Sequence, residues 1–260
     1  LRPLDPQSSA LPSCATARSS VFLAALPPVG YLTRPDDALS HRPTWHNRPM
    51  PHDDFDARAA TWDDPAKVAR AQQIADAMVK TVSLEGVQEA LEYGCGTGLV
   101  TWALAPHLDA HAHVTLADSS TGMLAVVRER IEGRASDSRR YTAQTLDLTS
   151  EAFPAHSLDL IYTSLALHHV SDVDLVLQRF AEALRPGGHL AIADLDHDPL
   201  GHFHGTDFHG HHGFKREALA SRIIAAGFNT PQIETVTTLT KPVDGVPTEF
   251  GMFLAVASVA

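Results

Sequence analysis

Cysteine is nearly absent. Cys14 and Cys95, the only two in 260 residues, lie far apart, which excludes a disulfide framework and suits a reducing, cytoplasmic compartment. Long apolar runs are missing as well. No stretch approaches the roughly 18 uninterrupted apolar residues of a spanning helix, so no membrane partner is expected. Basic charge is short: 20 Lys and Arg against 31 Asp and Glu leave a formal net charge of −11. A chain of that sign, without a basic stripe, is a poor partner for a nucleic-acid backbone. The sequence shows no internal repeat and sets no oligomeric state.

The first fifty residues differ from the rest in being rich in Pro, Ser and Arg, with no lasting helical or strand period. Residues 1–50 are read as a disordered or loosely packed leader. Arg2, Arg18 and Arg34 with few acids admit mitochondrial targeting, although Asp5, Asp36, Asp37 and several prolines interrupt the pattern. Met50 is the first Met, so the upstream stretch can also be read as carrying no function.

From residue 51 onward the punctuation is regular. Asp64 and Pro65 predict a helix start, and Val68, Ala71, Ile74, Ala75, Met78 and Val82 form one apolar face. Strands are predicted in "GVQEALEYG", "HVTLAD", "YTAQTLD", "LDLIYTSLAL" and "HLAIADLD". The helices between them are "LVTWALAPHL", "STGMLAVVRERIEG" and "SDVDLVLQRFAEALRPGG", the last opening on a Ser171–Asp174 capping box. "KREALASRIIAAGF" follows, capped by Gly227, and then "IETVTTLT" and "FGMFLAVAS", joined by the tight turn "KPVDGVP". Alternating strands and helices predict an α/β fold, a doubly wound, mostly parallel sheet of about seven strands with a C-terminal antiparallel pair. Ligands of such sheets bind beyond the carboxyl ends of the strands, so the loops at 94–98, 118–120, 147–149, 164–170 and 194–212 are the candidate site.

Gly94, Gly96 and Gly98 interrupt the apolar run "LEYGCGTGLV" between a strand and a helix. They permit a tight turn and a ligand lying against the backbone, beside the free N–H groups of a helix start. A phosphate loop would need Gly-Lys-Ser/Thr, which is absent, and the dinucleotide pattern would need glycine where Leu99 stands. That disfavours a dehydrogenase. Asp118 ends the next strand, twenty residues after Gly98, where a carboxylate can accept both hydroxyls of a ribose. The pattern suits a nucleoside with a small charged portion near the glycine loop. Cys95 is read as a small residue tolerated in that loop rather than as a nucleophile.

Taken in order, "LEYGCGTG", "LADSS", "TLDL", "LDLIYTSLALHHV" and "LRPGGHLAIAD" resemble the class I S-adenosylmethionine-dependent methyltransferases of the small-molecule type, over about residues 55–256. The resemblance implies a Rossmann-like methyltransferase domain at 51–260, S-adenosyl-L-methionine as cofactor and a small-molecule acceptor. It places Gly94, Cys95, Gly96 and Gly98 around the methionine portion and Asp118 on the ribose. Ser119 and Met123 would flank the adenine, and Asp147 with the Leu148 N–H would meet its amino group. Ser164 and Leu165 would approach the sulfonium, although the family often carries an acid or Asn where Ser164 stands. "TWDD" resembles a segment that covers the cofactor in part of the family, with Trp62 as the cover. A non-catalytic cofactor-binding or partner-binding module and a protein methyltransferase are the alternatives.

Histidine is abundant, with sixteen in the chain. His197, His202, His204, His209, His211 and His212 crowd the loop after the fifth strand, and His168 and His169 follow the fourth. Three readings stand: a metal site, a general base, or a polar lid. The spacing matches no zinc signature and no cysteine assists, so no metal ligands are assigned. One of His168 and His169 is expected to pack structurally. Gly201, Gly205 and Gly210 with Phe203 and Phe208 suit a lid that shapes the acceptor pocket, and His211 and His212 are the candidate catalytic bases.

Overall fold

The computed structural model describes residues 55–260 except 135, 136 and 206, so the leader at 1–50 lies outside the described residues. Helices are α1 (Phe55–Arg58), α2 (Pro65–Thr81), α3 (Leu99–Leu104), α4 (Thr121–Glu132), α5 (Val173–Ala183) and α6 (Arg216–Ala225). Strands are β1 (Glu89–Tyr93), β2 (His113–Asp118), β3 (Tyr141–Thr145), β4 (Leu158–Ser164), β5 (Leu184–Leu195), β6 (Gln232–Val243) and β7 (Val246–Ser258). They form one seven-stranded sheet in the order β3-β2-β1-β4-β5-β7-β6. The first five are parallel, and β7 runs antiparallel to both its neighbours. The expected antiparallel pair is present, but its second member returns between the first and the parallel strands. The reversal at Asp244-Gly245, both at positive φ, is the tight Asp-Gly hairpin turn that the right-handed twist of paired strands favours.

Strand alternation sends side chains to opposite faces, and both faces are covered. Ile74 and Met78 of α2, Leu104 of α3 and Leu124 of α4 pack with Ala90, Leu116 and Tyr162 on one face. Leu177 and Phe180 of α5 and Ile223 of α6 pack with Leu91, Ile161 and Phe253 on the other. Among the described residues no helix is long and apolar enough to cross a membrane.

Local chemistry sets the element ends. Asp64 caps α2, accepting from the Lys67 N–H at 2.8 Å, with Pro65 in the first turn. After α6, Gly227 at φ 103 lets the Phe228 and Gly227 N–H groups bond the Ile223 and Ile224 carbonyls, a Schellman ending. Three expectations need correction. The cap of α5 is Asp172, which accepts from the Leu175 N–H at 3.0 Å, and not Ser171. β4 stops at Ser164 because Leu165 adopts φ 51, and residues 167–169 form a 3-10 turn instead of continuing the strand. β5 also begins earlier than the apolar pattern indicates. Pro186 disfavours helix at Arg185, so the chain is already extended at Leu184, and a bulge carrying Gly187 at φ 80 precedes the regular pairing.

Candidate active site

All the candidate loops lie at the carboxyl edge of the parallel strands. The glycine loop follows β1. A side chain at Gly94 would put its Cβ 2.2 Å from that of Ala166, just past β4, so the two loops are in direct contact. Gly96 sits under the Trp62 indole, 4.0 Å from the place a Cβ would occupy. Asp118 closes the cradle from β2. One of its oxygens accepts the Gly96 N–H at 2.7 Å and the other the Ser120 N–H at 2.8 Å. A carboxylate has about four acceptor sites, so each oxygen keeps capacity for a hydroxyl. Burial pushes the Asp118 carboxyl up, against the N–H bonds of Ser120 and Gly96, which pull it down.

The remaining expected cofactor residues line the same edge. Ser119 is exposed, and Ser120, not Ser119, caps α4 by accepting from the Met123 N–H at 3.1 Å. Met123 and Leu148 are buried. Asp147 spends one oxygen on the Thr149 N–H at 2.9 Å and hydroxyl at 2.7 Å, a local turn. Ser164 ends β4 beside the left-handed Leu165, a conformation that costs roughly 1–3 kcal/mol and is kept where the surroundings demand it. Cys95 is buried, and burial pushes its thiol well above the ordinary range, which makes it a poor nucleophile.

Several contributors escaped the sequence reading. Asp63 accepts the Thr97 hydroxyl at 2.6 Å and pairs with Arg130, which also reaches the Thr97 carbonyl at 2.7 Å. Asp56 accepts the Gly122 N–H at 2.7 Å at the start of α4. These bonds dock the Trp62 segment onto the glycine loop and α1 onto the start of α4. Phe55 extends that cover, with ring centroids 5.5 Å from both Trp62 and His169. "DFDAR" and "TWDD" have no local pattern that discloses bonds to residues 34 to 67 positions away.

Glu92, inside the quoted glycine motif, was also missed as a group of interest. Its carboxyl is buried against the Thr101 hydroxyl and N–H, and the Thr101 hydroxyl meets the Tyr162 hydroxyl at 2.6 Å. Burial raises it to about 8. A carboxyl raised on folding contributes stability that is full below the unfolded value near 4.3 and is lost as pH climbs through about 8. Thermal melts from about pH 6.5 to about pH 8.5 are therefore expected to show a loss of about 1–2 kcal/mol, which Glu92→Gln flattens. An equal slope in the variant would assign the loss to another group.

The histidine loop folds onto the turn after β4. Its ends are tied by the Asp198 N–H to the His212 carbonyl at 2.8 Å and the His211 N–H to the His168 carbonyl at 2.7 Å. His168 is buried, its Nδ1 2.6 Å from Asp194 on β5, so it is the packed member of the pair. His169 and His204 lie beside it, with ring centroids 4.3 and 4.8 Å from that of His168. Burial, and then the neighbouring His168, hold His169 at about 3 and His204 at about 4. His211 packs on Phe214 and is also lowered, by burial first and then by Arg222. His212 Nδ1 is buried with no hydrogen-bond partner among the described residues.

A glycine cradle closed by a strand-end carboxylate, in a sheet whose last strand inserts antiparallel, defines a Rossmann-like fold of the class I methyltransferase kind. Comparison with known proteins agrees. Residues 91–190 match a family model described as a methyltransferase domain. The chain is 36% identical over 152 residues to a biotin biosynthesis bifunctional protein of Bordetella avium, covering 58% of this chain and 31% of that protein. It is 33% identical over 142 residues to an O-methyltransferase of Penicillium expansum, covering 53% and 50%. The chain thus spans half or less of these curated relatives. A SAM-dependent methyltransferase structure from Aquifex aeolicus superposes with a TM-score of 0.58 at 14% identity, covering 79% of this chain and 98% of that one. Residues 91–190 thus match a methyltransferase domain, and the chain has the class I S-adenosylmethionine-dependent methyltransferase fold.

Proposed function

We propose that the protein transfers a methyl group from S-adenosylmethionine to a small-molecule acceptor. The observation that carries this reading is the joining of Gly96 to Asp118 at 2.7 Å, at the sheet edge where Gly94 meets Ala166. It is supported by the O-methyltransferase among the relatives.

S-adenosylmethionine supplies a methyl already activated by its sulfonium. Gly94, Cys95, Gly96 and Gly98 hold the methionine portion against the backbone, and Asp118 accepts the ribose hydroxyls. Ser119 and Met123 flank the adenine, with Asp147 and the Leu148 N–H at its amino group. Ser164 and Leu165 border the reacting atoms. Trp62 and Phe55 cover the cradle and exclude water. Aligning the reactants in line can contribute roughly 7–11 kcal/mol. Residues 197–212 shape the acceptor pocket, and His211 and His212 take the acceptor's proton where it has one. Burial lowers His211, which favours the neutral form that can accept a proton.

The test combines binding and turnover. S-adenosylhomocysteine is expected to raise the melting temperature and NAD is not. An acceptor screen then reads out S-adenosylhomocysteine release. Replacing His211 and His212 together by Gln should lower turnover by roughly 10²–10⁴ and leave S-adenosylhomocysteine affinity within a few-fold. Stabilisation by NAD alone would overturn the cofactor assignment. Cofactor binding without release on any small molecule would favour a binding module or a protein acceptor. Turnover unchanged in the double variant would remove the base role.

A further inference from the structure

We propose that His168, His169 and His204 form a binding site for one divalent transition-metal ion of the zinc type, on the acceptor side of the cradle. One nitrogen from each ring lies within 4.8 Å of the others, although the residues come from two separate loops. Zinc–nitrogen bonds of about 2.0–2.1 Å need only a modest further approach of the rings.

Two features favour ligation over simple stacking, and a third holds the rings in place. First, the Asp194 carboxylate engages His168 Nδ1 at 2.6 Å and also accepts the Leu195 N–H at 2.7 Å. A carboxylate behind an imidazole fixes the ring and its tautomer, leaving Nε2 as the nitrogen able to ligate, which is how metal-binding histidines are oriented. Second, His204 Nε2 is buried with no hydrogen-bond partner among the described residues. A buried polar atom without a partner calls for an explanation, and an ion supplies one. Third, the rings are held by packing: His204 stacks on Phe208 at 4.1 Å, and His169 meets Phe208 edge-on at 5.2 Å.

The donor set chooses the metal. Three imidazoles without a thiolate suit zinc, cobalt, nickel or ferrous iron, whereas calcium and magnesium require oxygen ligands. Three protein ligands leave a position open for water or for a donor atom of a small molecule. The sequence spacing did not disclose the set, because two ligands are adjacent in a 3-10 turn and the third is brought by a loop that folds back.

The experiment uses untagged full-length protein, stripped with a chelator and titrated with cobalt(II) as a visible-spectrum probe, then with zinc in competition. One cobalt per chain with d–d absorption, displaced by zinc, is expected. His204→Phe, which preserves the ring stack, should abolish the spectrum, and His169→Gln should do the same if the first variant proves unstable. Asp194→Asn should weaken binding by roughly 10–100-fold. His202→Gln and His209→Gln, exposed on the same loop, should leave it unchanged. Absence of stoichiometric cobalt in the wild-type protein overturns the site. So does undiminished binding in His204→Phe, or an equal loss in the His202 and His209 variants. Stabilisation by S-adenosylhomocysteine is measured on the same samples, so failure of the cofactor reading is seen separately from failure of the metal site.

Discussion

Replacing Asp118 by alanine is expected to weaken S-adenosylhomocysteine binding by roughly 10²–10⁴-fold, since two charge-assisted hydrogen bonds of about 1.5–3 kcal/mol each are lost. The same carboxylate holds the Gly96 and Ser120 N–H groups, so the variant also loses the ties that shape the loop. Asp118→Asn is the milder change. It keeps the side chain's size but only one acceptor oxygen, so one of the two loop N–H bonds is lost while the amide NH2 can still donate to a ribose hydroxyl, and affinity should fall less than in the alanine variant. Calorimetry gives the affinity and thermal melts without ligand give the stability. Wild-type affinity in Asp118→Ala would mean that the ribose is held elsewhere.

Gly94→Ala is expected to cause a large loss of stability for a single added methyl group. Gly94 stands at φ 68, where an L side chain costs roughly 1–2 kcal/mol, and the new Cβ would lie 2.2 Å from that of Ala166. Overpacking adds roughly 1–3 kcal/mol because neither backbone can retreat without moving β1 or β4. A total of about 2–5 kcal/mol lowers the melting temperature of a domain this size by roughly 4–20 °C. Gly86→Ala isolates the collision. Gly86 has φ 79 but nothing within 4 Å of the added atom, so it should show the conformational cost alone. Equal losses in the two variants would show that the contact with Ala166 is not tight.

The same geometry explains why the loop after β4 carries strain. The left-handed Leu165 turns the chain so that Ala166 meets Gly94 and His168 reaches Asp194. One backbone reversal therefore connects the cofactor cradle with the histidine cluster, and a change at either would be felt by both.

Local chemistry made much of this legible in the sequence. Alternating apolar runs and helical spacings fix which face of each element is buried, and that depends only on near neighbours along the chain. The glycines at 94, 96 and 98 and the strand-end Asp118 disclose a cradle because both strand and turn are locally encoded. Other features required residues far apart in sequence to meet. Insertion of β7 between β5 and β6 is a choice of partner that no strand pattern contains. Asp63 and Asp56 look like ordinary acids before a helix until the fold brings Thr97, Arg130 and Gly122 to them. Glu92 reads as polar alternation in a strand, yet packing buries it under α3. The histidines were visible as a composition, but which three converge is decided by the return of the 197–212 loop onto the turn after β4. Periodicity and turn chemistry act over a few residues and are written in the sequence, whereas burial, charge pairing and ligand convergence depend on three-dimensional distance and exist only once the chain has folded.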